Sequence, residues 1–219
     1  MLTIRKIDAA PARADGVAAA LDAAGVEFNA IGCVNWPHDF PYAPRAEFRL
    51  AHTGSELLID YRVAEHSVAA VAQADGGPVW EDSCCELFLQ PTPGGPYYNI
   101  ECNCAGTLLI ACGPGREGRE PAPQGVLQSV RRWSSLGREP FAERVGDVEW
   151  HLSLIVPTTA FFRHDIATFS GEMMGNAYKC GDRLQRPHFL SWAPIPIAAP
   201  DFHRPDHFAP MLFVSGVAQ

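Results

Sequence analysis

Three stretches of the chain alternate apolar and polar residues with a period of two, the spacing of a strand that buries one face. "RAEFRL" puts Ala46, Phe48 and Leu50 on one side. "ELLIDYRV" does the same with Leu57, Ile59, Tyr61 and Val63, and "VEWHLSLIV" with Val148, Trp150, Leu152, Leu154 and Val156. "CCELFLQ" and "YYNIECNC" continue the pattern on either side of "PTPGGP", a Pro- and Gly-rich reversal that predicts a hairpin. Its core face would carry Cys85, Leu87 and Leu89 against Tyr98, Ile100, Cys102 and Cys104. Its outer face would carry Glu86, Phe88 and Gln90 beside Asn99, Glu101 and Asn103. "ADGVAAALDAAG", residues 14 to 25, reads as a short helix capped by Asp15 and ended by Gly25. "PTTAFF" reads as one helical turn opened by Pro157, and "GREGREPAPQG" as a loop. The pattern predicts an all-β, two-sheet antiparallel β-sandwich, immunoglobulin-like or jelly-roll-like, with a short N-terminal helix. Residues 1–30 are expected as a helical extension packed on the domain, and residues 31–219 as the sandwich itself.

Composition narrows what such a domain does. A chain of 219 residues buries roughly 70% of its unfolded surface and holds a core without staples. The formal net charge is −8, with no Lys/Arg run longer than two. Phosphate binding needs a clustered basic surface, so neither nucleic acid nor an anionic membrane is an expected partner. No apolar run approaches a membrane span. The start, "MLTIRKIDAAPARADG", has no apolar signal core, so a cytoplasmic location is expected. The seven cysteines are then expected as reduced thiols. Oligomeric state has no signature in the sequence.

Residues 79–106 concentrate the candidate chemistry, with four cysteines and four carboxylates among large aromatics. Adjacent Cys84 and Cys85 point to opposite faces of a strand, which argues against zinc held by paired cysteines from a tight turn. The expectation is buried thiols and no zinc. Glu86 and Glu101 face the same way if the strands pair as drawn, and like charges across a ladder are destabilising. They are either solvated, or matched by a cation, a shared proton or ligand hydroxyls. Paired carboxylates also suit glycoside hydrolysis, which keeps a saccharide-acting enzyme as the alternative reading. His203 and His207 are four apart, but Pro205 between them rules out a helical metal face. Cys180 and His188 lack the local signature of a thiol nucleophile, and Lys179 is a candidate partner for Asp182. Trp80, beside Glu81 and Asp82 before a strand, is either a ligand platform or a plug at one end of the core.

The strings "VWEDSCCELFL", "YYNIECNCAGTLL", "VEWHLSLIVP", "NAYKCGD", "HFLSWAPI" and "PDFHRPDHF" occur in that order. Together they resemble the bacterial carbohydrate-binding module family 9-like domains, closest to the stand-alone branch with the Y-K-C-G-D string. The resemblance implies a non-catalytic β-sandwich that binds a saccharide or polyol by aromatic stacking and polar contacts, in a setting of carbohydrate catabolism. It places Trp80 at the first stacking position and Phe202 at the second, where xylanase-attached members carry Trp. Their sugar-binding arginine falls near Glu101, and a binding asparagine near Ala199. Asn99, Asn103 and Lys179 complete the expected ligand-binding set. No catalytic residue and no cofactor is expected. Structural calcium, which those members carry, has no ligands that can be matched residue by residue.

Overall fold

The structure is a computed structural model that describes residues 1–217. Fourteen strands follow one another along the chain. The first five are β1 (Leu2–Lys6), β2 (Asn29–Ala30), β3 (Cys33–Val34), β4 (Arg45–His52) and β5 (Glu56–Ala70). Next come β6 (Cys84–Gln90), β7 (Tyr97–Asn103), β8 (Leu108–Gly113), β9 (Glu120–Pro121) and β10 (Arg131–Ser134). The last four are β11 (Phe141–Pro157), β12 (Gly171–Cys180), β13 (Phe189–Ser191) and β14 (Ala209–Val217). Two short helices, α1 (Val17–Ala23) and α2 (Gln124–Ser129), interrupt them. None is long and apolar enough to cross a membrane.

The strands form one curled sheet in the order β10-β11-β5-β4-β1-β14-β12-β6-β7-β8-β9. Its two halves pack face to face. One core joins Phe48, Ile59, Tyr61, Trp150 and Leu152 from one half to Leu87, Tyr98, Ile100, Ala177 and Met211 from the other. The faces predicted from alternation on β4, β5, β6, β7 and β11 all lie in this core. Gly54, at φ 104°, turns β4 into β5, and the Thr53 hydroxyl accepts the Glu56 N–H at 3.1 Å. The ladders are antiparallel except at β1, which runs parallel to both β4 and β14 and joins the two halves of the sheet. The N-terminal segment thus contributes a strand as well as a helix. "LTIRK" is too short for a period to show, although Ile4 is fully buried.

α1 covers the outer face of the first half, packing Val17 and Leu21 on Ala51, Leu58 and Ile155. Asp15 makes no capping hydrogen bond and pairs with Arg13 instead, because a 3-10 turn, Ala14–Gly16, precedes the helix. Gly25 ends the helical segment at φ 61°, as its position predicts. Buried Arg49 fastens the helix to the sheet. It pairs with Asp60 at 2.9 Å and Asp22 at 2.6 Å, and donates to the carbonyls of Ala18 and Val26.

Candidate functional site

The outer face of the second half is where the sequence places its polar residues, and the registers bring them together. Glu86 on β6 stands opposite Glu101 on β7 and Tyr178 on β12. Cys84 stands opposite Asn103 on one side and Cys180 on the other. This face is not open to water. Residues of the chain's last quarter fold over it, with Trp36 and Phe40, forming a second apolar cluster on Phe88, Tyr97 and Tyr178. Trp36 donates its indole N–H to the Ile197 carbonyl at 2.8 Å and holds this cover in place. Glu86, Asn99, Glu101 and Asn103 are therefore all buried.

The cover leaves a cavity of about 510 Å³. Trp80 and Phe202 line it, with Glu86, Asn99, Glu101, Cys180, Asp182, Arg116, Arg119 and His203. Trp80 sits on the 3-10 turn Val79–Glu81 at 39% exposure, so it is a rim residue and no core plug. Its carbonyl accepts the Asp182 N–H at 3.2 Å, which ties the turn to the end of β12. The Phe202 ring is backed by Tyr178 at 4.2 Å and 8° between planes, and Tyr178 donates its hydroxyl to the Phe202 carbonyl.

The polar wall is a chain of hydrogen bonds. Arg119 donates to the Asn99 amide oxygen at 2.6 Å, and Asn99 donates to Glu101 Oε1 at 2.7 Å. Arg119 also donates to the carbonyls of Gly115, Tyr97 and Ala111, and its guanidinium lies 4.3 Å from the Tyr97 ring centre. Glu101 Oε2 is buried with no partner. Arg116 pairs with Asp201 at 2.9 Å, and the Tyr97 hydroxyl lies 2.7 Å from His203 Nδ1. Burial raises the Glu101 carboxyl to about 7 and Asp182 to about 6. Glu86 is pushed up by burial and then by the charge of Glu101 beside it. Burial, reinforced by Arg119 and Arg116, lowers His203 to about 4.

Of the residues expected from sequence, Trp80, Asn99, Glu101 and Phe202 come together at this cavity. Asn103 and Lys179 do not line it. Asn103 donates to Asp82 at 2.9 Å and accepts the N–H groups of Ala105 and Thr107, so the β7–β8 turn uses it fully. Lys179 lies between the two halves of the sheet and pairs with Glu65 at 2.9 Å, not with Asp182. Trp150 donates its indole N–H to the other Glu65 oxygen, and His188 Nε2 is 2.8 Å from the ammonium. Burial opposes the Lys179 charge, but Glu65 outweighs it and the group is held protonated. Burial, with Lys179 next to it, keeps His188 well below the usual imidazole range.

The Y-K-C-G-D string thus divides by strand parity. Tyr178 and Cys180 serve the cavity face, and Lys179 clamps the core. A side chain at Gly181 would meet Leu184 at 2.5 Å and His188 at 2.8 Å, so any other residue there would have to displace them. Asp182 returns to the cavity. Arg116 and Arg119 escaped sequence reasoning because they lie in a stretch whose composition reads only as loop.

All seven cysteines are free, and Cys85 and Cys102 are buried. Among the described residues, one group of metal-ligating side chains converges: Cys84, Glu86 and Cys180, of which Glu86 and Cys180 line the cavity. Two thiols and one carboxylate do not suit calcium, which takes six to eight oxygens.

With this geometry in hand, comparison with known proteins is direct. A family model described as carbohydrate-binding family 9 matches residues 15–213. The chain belongs to that family. It is similar to a candidate carbohydrate-binding protein from Bacteroides uniformis, at 48% identity over 97% of this chain and 98% of that one, with a TM-score of 0.94. It shares its fold with a family 9 module from Caldicellulosiruptor kristjanssonii solved with cellotriose. That match has 9% identity over 97% of this chain and 93% of the other, with a TM-score of 0.56. A second structure from that organism, solved with glucose, matches at 8% identity over 100% and 97%, with a TM-score of 0.54. No curated protein matches.

Proposed function

We propose that the chain is a non-catalytic module that binds a saccharide or polyol in the cavity between Trp80 and Phe202. The observation that carries this reading is a solvent-facing tryptophan on the rim of a cavity that also has an aromatic ring and a hydrogen-bonded polar wall. Sugars present apolar C–H faces that stack on aromatic rings, while their hydroxyls need planar polar partners. Asn99, Glu101 and Arg119 are such partners. The cellotriose and glucose bound by the fold relatives, and the family itself, point the same way. The wall carries Glu86, Glu101, Asp182 and Asp201, while both arginines are already engaged. Neutral and amino sugars should therefore bind better than uronic acids. Partial breakdown of larger glycans would supply such ligands, which fits a role in carbohydrate catabolism.

Calorimetry against a panel of neutral, amino and acidic mono- and oligosaccharides, with product analysis of each mixture, tests the reading. Saturable binding without new products is expected. Hydrolysis products would favour an enzyme built on Glu86 and Glu101, and silence across the panel would leave a scaffold whose sugar site has decayed.

A further inference from the structure

We propose that Cys84, Cys180 and Glu86 form a zinc site at the edge of the cavity, which Cys180 and Glu86 line, with its fourth position facing the cavity. Adjacent cysteines on one strand cannot share a metal, and the sequence argument against zinc rests on that. The register supplies a different pair. Cys180 on β12 is the cross-strand neighbour of Cys84 on β6, and Glu86 lies two residues along on the same face. Each offers a donor atom, and the three lie within 4.8 Å of one another, all buried. The Cys180 thiol donates to Glu86 Oε1 at 3.1 Å, a hydrogen bond that a bound metal would replace. In tetrahedral zinc, bonds of about 2.3 Å to sulfur and about 2.0–2.2 Å to oxygen set donors somewhat under 4 Å apart. Small side-chain movements would bring this group to that spacing.

A second observation points to a cation independently. Glu101, directly across the ladder from Glu86, is 4% exposed and lines the same cavity, and its Oε2 has no hydrogen-bond partner. Two charged carboxylates buried side by side are costly, and either a shared proton or a cation relieves that cost. Among the described residues no cation pairs directly with either carboxylate. Lys179 projects to the opposite face and is spent on Glu65, and Arg119 is spent on Asn99 and three carbonyls. A zinc ion would take the place of a shared proton there.

Three protein donors with an open fourth position is the arrangement of a zinc site that exchanges ligands. Glu101 Oε2, water or a ligand oxygen or nitrogen would complete it. An ordinary thiol is protonated near neutral pH, and zinc binds it as the thiolate. Loading therefore replaces three zinc–water bonds with two zinc–sulfur bonds and one zinc–oxygen bond, and releases to solvent one proton from each thiol and the proton that Glu86 holds.

The test uses the full chain, reduced and stripped with chelator, then titrated with zinc chloride alone, so its outcome is independent of any sugar result. One equivalent should bind, release at least two protons and raise the melting temperature. Cys84→Ser and Cys180→Ser should each weaken binding by about a hundredfold or more. Cys33→Ser, at a half-buried thiol bonded to the Trp192 carbonyl, should leave it unchanged. Cobalt(II) on the wild-type chain gives a readout that needs no variant: thiolate-to-metal charge-transfer bands should appear. A reduced chain that takes up no zinc, cobalt without thiolate bands, or zinc binding undiminished in Cys180→Ser would overturn the proposal.

Discussion

Trp80 and His203 report on the cavity in different ways. Because Trp80 is a rim residue, Trp80→Ala should remove about 2 kcal/mol or more of saccharide binding and change folding stability by under about 1 kcal/mol. Paired isotherms and melting curves read both. His203 sits below its unfolded range of 6.5, at about 4, with Arg119 and Arg116 near it and Tyr97 at its Nδ1. Between those values the unfolded chain binds the proton and the folded chain does not, so the stability His203 contributes is present above 6.5 and is lost as pH falls toward 4. His188 slopes the same way, so the comparison must be made within a pair of variants. His203→Gln should show a shallower loss of stability than wild type across this window in chemical denaturation. Trp80 was legible because a large aromatic before a strand stands out against acidic neighbours. Lys179 was misplaced because a lysine reads as surface. Its parity with Met173 and Ala177, both core residues, is the signal that would have turned it inward.

At the scale of elements, β5, β11 and β12 are joined through one buried polar cluster. Glu65 on β5 takes the Lys179 ammonium from β12 and the Trp150 indole from β11. Lys179→Met leaves a buried carboxylate without its cation and should cost about 3–5 kcal/mol in denaturant unfolding. Adding Glu65→Gln should recover part of that loss, because the amide keeps an acceptor for Trp150 and carries no charge. If the double variant is no more stable than Lys179→Met alone, the ion pair is not what holds these strands. The in-out assignment of five strands was readable from alternation, since a period of two leaves only one way to bury the apolar set. The cover over the outer face of β6 and β7 was not. Its residues, such as Phe202 and Phe208, lie about a hundred positions further along, and nothing local to the hairpin announces them. The Cys84–Cys180 neighbourhood was hidden for the same reason, since it depends on which distant strand pairs with β6.

For the whole molecule, a curled β-sandwich of carbohydrate-binding family 9 buries a polar face and keeps one cavity on it, with Trp80 at the rim. The strand strings carried the family, because six short motifs in fixed order are specific together. The ligand was less legible, because the resemblance implies a sugar-binding arginine near Glu101 and an asparagine near Ala199, where this chain has neither, and Arg119 reaches the wall from a loop. Saccharide binding at that cavity is the central claim. Its most direct test is a two-dimensional amide and indole NMR titration of the full chain with the tightest sugar from the panel. Trp80, the one exposed tryptophan of five, gives its own indole signal. The account predicts that this signal and the Asn99, Glu101 and Arg119 amides shift together along one saturating curve. Shifts confined to the far surface around Tyr42 and Arg186, with the Trp80 indole unmoved at saturation, would contradict it.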